Sequence, residues 1–355
     1  MNSVLAAFSA TLQRAQDART PLRFRGGGTK DFYGQNLTGE LLDTRIYRGI
    51  VDYDPTELVI TARAGTPLVD IESALAQNNQ MLAFEPPHFG NGATLGGCVA
   101  AGLSGPRRQA AGAVRDYVLG AALMNHRGDV LHFGGRVMKN VAGYDVSRLL
   151  AGSLGTLGLL LEVSLKVLPK PFTETTLSFR FDHTTALQQL NEWAAKPLPI
   201  SASIWHNGLL HLRLSGSEVG VHAAVERLGT LEQLDGASAT RLWTQVREQT
   251  HTFFNQDTPL WRLSVPSTVA PLPLTGEQFI EWGGALRWFR GDIAANAIRE
   301  IIARVGGHAT LFRARDKTAG VFATLPPTLL RIHRALKTEF DPAGVFNAGR
   351  LYAEF

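Results

Sequence analysis

Glycine is distributed unevenly along this 355-residue chain, and that constrains the fold more than any other feature. Three clusters, at residues 26–28, 90–105 and 152–158, lie in the first half, and comparable runs thin out afterwards. Adjacent glycines expose bare backbone N–H groups and reach dihedral angles that other residues resist. They let two segments, or a segment and a flat ligand, approach closely, and they can form nests for phosphate oxygens. Read alone, Arg25-Gly26-Gly27-Gly28-Thr29-Lys30 fits a tight turn as well as a phosphate nest. It is not a P-loop, because no G-x-x-x-x-G-K-[ST] occurs anywhere in the chain. Gly90-x-Gly92-x-x-x-Gly96 is one residue too long for the dinucleotide fingerprint.

Around these clusters the first half alternates strand and helix signals. Residues 21–25 and 57–64 read as strands. A helix follows with Thr66 as N-cap, Pro67 at the first helical position and Leu68, Ile71 and Leu75 on one face. Residues 81–84 read as the next strand, so this strand–helix–strand unit predicts a crossover and a partly parallel sheet. Residues 91–101 predict a helix of small residues. Residues 118–124 and 130–133 predict a hairpin turning at Gly128, and 146–150 a short helix. Residues 159–168 form a strongly apolar strand stopped by Pro169 and Pro171. Beyond it the pattern is strand (175–181), helix (184–195), hairpin (202–214, around Asn207-Gly208) and helix (219–228), with a last helix near 329–339. That texture predicts an α+β second domain, with the boundary at 169–173.

Length alone favours two domains. With 45% hydrophobic and 19% charged residues the composition is that of a globular protein. No 18-residue apolar run and no leader-like N-terminus is evident, so the expectation is a cytoplasmic protein. The single cysteine, Cys98, allows no internal disulfide. The net charge of +4 comes from dispersed Lys and Arg interleaved with acids, which argues against nucleic acid as a partner. His206 with His211, and His126 with His132, straddle hairpin turns without carboxylate or cysteine partners at ligand spacing, so no metal site is expected. The aromatic set Trp261, Trp282, Trp288 and Phe289 reads as core or as a partner-facing patch.

A pyrophosphate attached to long flat rings needs several close backbone approaches along one cleft, and three glycine clusters supply them. Arg25, Lys30, Arg107 and Arg108 lie near as counter-charges. The stretches RFRGGGTK…GQ (23–35), ITARAGTPLVDIESALA (60–76), NGATLGGCVAAGLSGP (91–106), VRDYVLGAALMNHRGDVLHFGG (114–135), KNVAGYDVSRLLAGSLGTLGLLLEVSLKVLP (139–169) and FDPAGVFNAGR (340–350) occur in that order. Together they resemble the vanillyl-alcohol-oxidase, or PCMH-type, FAD-binding flavoproteins, and among them the smaller FAD-binding subunits of bacterial glycolate oxidase.

The resemblance implies an α+β fold: a two-lobed PCMH-type FAD-binding domain (1–171), an α+β ferredoxin-like capping domain (172–330) and a C-terminal segment (331–355) returning to the FAD domain. It implies that Arg25, Gly26, Gly27, Gly28, Thr29, Lys30 and Gln35 hold the pyrophosphate side of FAD. Thr94, Leu95, Gly96, Gly97, Ser104 and Gly105 would form a second wall, and Gly155, Thr156 and Gly158 would lie along the adenosine or flavin side. Members with a covalent flavin carry a histidine in the first loop; Gly28-Thr29-Lys30 has none, which implies non-covalent FAD. Catalytic relatives have an acidic residue where this chain has Leu154, and a histidine-rich GDGN.H segment that is missing here; His308 has only a vaguely similar setting. The resemblance therefore implies a subunit of a complex oxidising short 2-hydroxy acids, such as glycolate or D-lactate, to 2-oxo acids, peripheral at the inner face of the membrane. Its partners would be a larger homologous FAD-linked catalytic subunit and an iron–sulfur subunit, since one cysteine cannot hold a cluster. A stand-alone dehydrogenase and a non-catalytic assembly subunit are the alternatives, and no residue is singled out as the catalytic base.

Overall fold

The computed structural model describes residues 2–135, 144–229 and 231–355. After an N-terminal helix α1 (Asn2–Ala18), strands β1 (Leu22–Arg25) and β2 (Glu40–Asp43) pair in parallel. Next come β3 (Ile50–Asp54), β4 (Val59–Arg63), helix α2 (Leu68–Ala76), the two-residue β5 (Gln80–Met81) and helix α3 (Leu95–Ala101). The hairpin β6 (Val118–Met124) and β7 (Val130–Gly134) precedes β8 (Leu159–Lys166) and β9 (Leu168–Pro169). One sheet has the order β3-β4-β8-β6-β7, and every pairing in it is antiparallel.

The sequence pattern anticipated most of these elements but misjudged one connection. The β4–α2–β5 unit makes no parallel crossover: β4 is flanked by β3 and β8, and β5 pairs antiparallel with β9 in a separate two-stranded sheet. The eight-residue β8, buried along most of its length, matches β4 from Val59↔Lys166 to Arg63↔Glu162 and takes the edge a parallel neighbour would need. Leu82, Ala83 and Phe84, expected to be strand, are buried without strand pairing. Helix α2 begins one residue late, and Thr66 does not cap it. The Thr66 hydroxyl instead accepts from the Gly49 N–H (2.9 Å) and donates to its carbonyl (3.2 Å). Helix α3 starts at Leu95, four residues after the expected point, because Thr94 is its N-cap; it stops at Gly102, whose φ of 67° is left-handed.

The second sheet runs through β10 (Thr173–Arg180), β11 (Ile200–His206), β12 (Leu209–Gly216), β13 (Glu232–Leu234), β14 (Leu260–Ser264), β15 (Glu277–Glu281), β16 (Leu286–Arg290) and β17 (His308–Arg313). Its order is β13-β10-β12-β11-β15-β16-β14-β17. The first four strands, with helices at 183–194 and 218–228, form the β-α-β-β-α-β ferredoxin-like arrangement. The last four repeat the same spatial order, with an irregular segment in place of the first crossover helix. The two halves meet edge to edge at β11 and β15. Trp261, Trp282, Trp288 and Phe289 are all buried, so the aromatic set is core. One apolar cluster joins Tyr33, Ala101, Leu103 and Leu154 to Trp243, Leu286, Trp288 and Phe312, which locks the inner face of this sheet onto the glycine-rich half. No helix among the described residues is long and apolar enough to cross a membrane.

Candidate functional site

A cleft of about 790 Å³ opens where the three glycine clusters converge. Its walls include Arg25, Gly26, Gly27, Gly28, Thr29 and Lys30 from the loop after β1, Thr94, Gly96 and Gly97 at the start of α3, and Gly155 and Gly158 before β8. The rest of its surface is largely apolar, with Phe24, Ala100, Ala101, Leu154, Leu159 and Leu160. Such a slot suits flat rings, with polar groups at one end.

The polar end is the first loop. The backbone N–H groups of Gly26, Gly27, Gly28, Thr29 and Lys30 donate to no acceptor among the described residues. Five consecutive donors left free in a concave loop form an anion nest. Their shape is set internally. A Cβ on Gly26 would overlap the Thr94 hydroxyl, and one on Gly27 would overlap the Gly92 carbonyl. Gly28 has φ 71°, and the Arg25 guanidinium packs where its Cβ would point. Arg25 is held by Asp31 at 2.8 Å, closing the loop on itself. Lys30 adds an ammonium 5.6 Å from the centre of the Phe89 ring; burial is the main cause that lowers its pKa.

The second cluster spends its backbone differently. The N–H groups of Leu95 and Gly96 donate to the carbonyls of Thr66 (2.9 Å) and Ala64 (2.7 Å), and that of Gly97 to Thr94 Oγ1 (3.3 Å). Gly96 is glycine because a Cβ would press on Ala64, so α3 can lie flat on β4. A Cβ on Gly97 would meet only Thr94 Oγ1, at 3.2 Å.

Five of the expected residues stand apart from the cleft walls. Leu95 is buried in the core beneath α3. Thr156 is buried and donates to the Ser153 carbonyl. Gln35 donates its backbone N–H to the Arg350 carbonyl. Ser104 Oγ accepts from the Val114 N–H within the first half, while the Gly105 carbonyl accepts from Trp282 Nε1 and ties the two halves together.

The structure adds cleft residues that local pattern gave no role. Asn347 accepts from the Phe24 N–H (2.8 Å) and donates to the Leu154 carbonyl (2.6 Å), pinning the first loop's strand to the third cluster. Arg350 donates to the carbonyls of Lys30, Asp31, Tyr33 and Gln35, gathering the chain that follows the nest. Burial drops its pKa to about 10. Lys337 donates to the Thr156 and Phe346 carbonyls and pairs with Asp341 at 2.7 Å. The signal for Asn347 and Arg350 was the FDPAGVFNAGR motif, whose partners around the first loop lie some three hundred residues upstream. Cys98 is buried beneath α3, and burial pushes its thiol up to about 12, so it is a packing residue. Among the described residues no group of three or more His, Cys, Asp or Glu could hold a metal.

A family model described as "FAD binding domain" matches residues 5–134. Glycolate oxidase subunit GlcE of Escherichia coli (strain K12) is 50% identical over 343 residues, covering 97% of this chain and 96% of that protein. Glycolate oxidase subunit GlcD of Bacillus subtilis (strain 168) is 30% identical over 236 residues, 65% of this chain and 50% of that one. D-lactate dehydrogenase of Archaeoglobus fulgidus is 31% identical over 204 residues, 54% of this chain and 44% of that one. Among solved structures, alkyldihydroxyacetonephosphate synthase superposes with a TM-score of 0.65 at 15% identity, over 96% of this chain and 74% of that one. Fold and relatives define an FAD-binding flavoprotein of the PCMH type, in the FAD-dependent oxidoreductase family. Within that class the chain belongs to the same family as glycolate oxidase subunit GlcE.

Proposed function

We propose that FAD lies non-covalently in the cleft, its pyrophosphate on the N–H row of residues 26–30 and its rings between α3 and the 154–160 segment. The five unused backbone donors carry this reading, since a run of free N–H groups suits a dianionic group. Arg25 and Lys30 add positive charge, while Leu154, Leu159 and Leu160 exclude water along the slot. In this reading residues 1–171 and 331–355 make the cofactor lobe and 172–330 the cap. The chain is the FAD-carrying subunit of a glycolate oxidase-like complex that oxidises short 2-hydroxy acids to 2-oxo acids. When bound, FAD supplies the two-electron acceptor for that chemistry. A larger FAD-linked subunit and an iron–sulfur subunit complete the complex, the latter receiving the electrons.

The test is flavin per chain in the purified protein and in Gly97→Leu. A Cβ there meets no backbone, only Thr94 Oγ1 at 3.2 Å, and leucine favours the helix. The expected result is a yellow parent and a colourless variant with the same circular dichroism. A parent that takes up no FAD, or a variant that keeps it, overturns the assignment.

A further inference from the structure

The 26–30 loop is gripped on both flanks by residues of the 172–330 segment. Behind it, Lys317 Nζ donates to the carbonyls of Phe32 (2.8 Å) and Gly34 (2.7 Å). Arg350 donates to those of Lys30, Asp31, Tyr33 and Gln35. Six consecutive carbonyls, 30 to 35, thus lie on two cations directly after five free N–H groups. Carbonyl oxygens beside a bound anion would repel it, and a cation on each removes that opposition. The turn that carries Lys317 is itself fixed. Arg299 donates to the carbonyls of Ala319 (2.6 Å) and Gly320 (2.5 Å), and Asp316 Oδ1 accepts from the Thr318 N–H (2.9 Å).

The other flank is held by Glu248, which follows the helix Gly236–Arg247. Its carboxylate accepts from the N–H groups of His88 (3.1 Å) and Phe89 (2.7 Å), and pairs with neighbouring Arg247 at 2.8 Å. His88 is fixed on two further sides. Its carbonyl accepts from Lys30 Nζ (3.4 Å), and its Nε2 lies 3.2 Å from the Glu72 carboxylate. Three residues past Phe89 comes Gly92, whose carbonyl a Cβ on Gly27 would strike. The two flanks meet where the rings of Phe32 and Phe89 pack edge to face with centres 5.5 Å apart. The Arg313 guanidinium covers Phe32 there, 4.4 Å from its centre.

We propose that Glu248 and Lys317 are positioning residues for the cofactor, holding the nest in its anion-binding shape from the other half of the molecule. Neither reaches the cleft, whose walls leave out residues 88, 89, 248 and 316–320. Each acts through backbone: Glu248 through the 88–92 stretch that abuts Gly27, and Lys317 through the turn that follows Lys30. Donors already gathered bind an anion more tightly than donors that must first be ordered. Binding and the two grips are therefore coupled, and the coupling is reciprocal, so a bound cofactor tightens the grips by the factor they lend it. That the ligand is FAD rests on the function proposed above; the grips rest on the hydrogen bonds themselves.

The test measures the affinity of the flavin-stripped full chain for FAD and for ADP, which carries the same pyrophosphate without the flavin. The temperature is one at which circular dichroism shows each variant folded. Lys317→Met and Glu248→Ala should each weaken both ligands at least about tenfold, as for loss of charge-assisted hydrogen bonds. Lys317→Arg, which can reach the same carbonyls, should stay within about threefold of the parent. A residue serving stability alone would lower the melting temperature and leave the affinity of the folded chain unchanged. Hydrogen exchange gives the reciprocal readout. FAD should slow the amides of His88, Phe89, Thr318 and Gly320 in the parent, although none of them lines the cleft. Parent-like affinity in either variant overturns that residue's role. FAD that leaves those four amides unchanged overturns the coupling, even if a variant fails to fold. A parent that binds ADP but not FAD defeats the FAD assignment, and the same ratios and amides read with ADP then decide the positioning. A parent that binds neither overturns both.

Discussion

The loops at 26–30 and 94–97 look alike in sequence, each with two or three adjacent glycines and a threonine. Their structures use that composition in different ways. The first leaves five N–H groups unspent. The second commits those of Leu95 and Gly96 to β4 and its turn, and that of Gly97 to the Thr94 hydroxyl. Glycines at 26, 27 and 96 are required by neighbouring protein, not by a ligand. Gly27 lets the first loop touch the backbone at Gly92, and that contact shapes the nest. A glycine cluster thus marks close approach, and only hydrogen-bond accounting says to what.

Paired substitutions separate the two uses. The largest effect is expected for Gly27→Val, whose branched side chain would force the 26–30 loop off the Gly92 carbonyl. Flavin content and thermal stability should both collapse, and a stable, yellow variant would show that the two loops can part without harm. Gly97→Leu should lose the flavin alone, its melting temperature staying within a few degrees of the flavin-free parent. Asn347→Ala comes next. It strands the Phe24 N–H and the Leu154 carbonyl, so a loss of about 2–4 kcal/mol is expected in denaturant unfolding. A loss below about 1 kcal/mol would mean that the loops hold their spacing without it.

The smallest effect concerns the inner face of the second sheet. Glu281 titrates near 7 in the fold against an ordinary value of 4.5, because burial opposes its charge. Between those values the folded chain binds more protons than the unfolded one. Its stabilising contribution is therefore complete below pH 4.5 and lost as the pH rises through 7. Glu281→Gln can still accept from Trp288 Nε1, now at 2.6 Å, and carries no charge. It should gain up to about 3 kcal/mol at pH 8 and nothing at pH 4. Equal gains at both pH values would point to packing as the cause.

Much of the fold was legible locally. The apolar run of 159–166, the Asn207-Gly208 hairpin and the helices at 183–194 and 218–228 follow from residue periodicity and turn chemistry, which act over a few neighbours. The family motifs pointed to the cleft's three glycine walls. Strand partners were not legible. β4 chose β8, a hundred residues on, over β5, twenty residues on, because pairing is settled by competition among distant strands. The stretch from 229 to 328 yielded no elements at sequence level, yet it supplies five of the eight strands of the second sheet.

By itself, then, the sequence determined where the backbone could bend sharply and which faces had to be buried, since these depend on single side chains and short periods. Only the tertiary structure decided which glycine N–H groups remained free and that Asn347 and Arg350 would brace a loop at the other end of the chain. Those outcomes depend on which distant acceptors come within about 3 Å, and no local pattern encodes that distance.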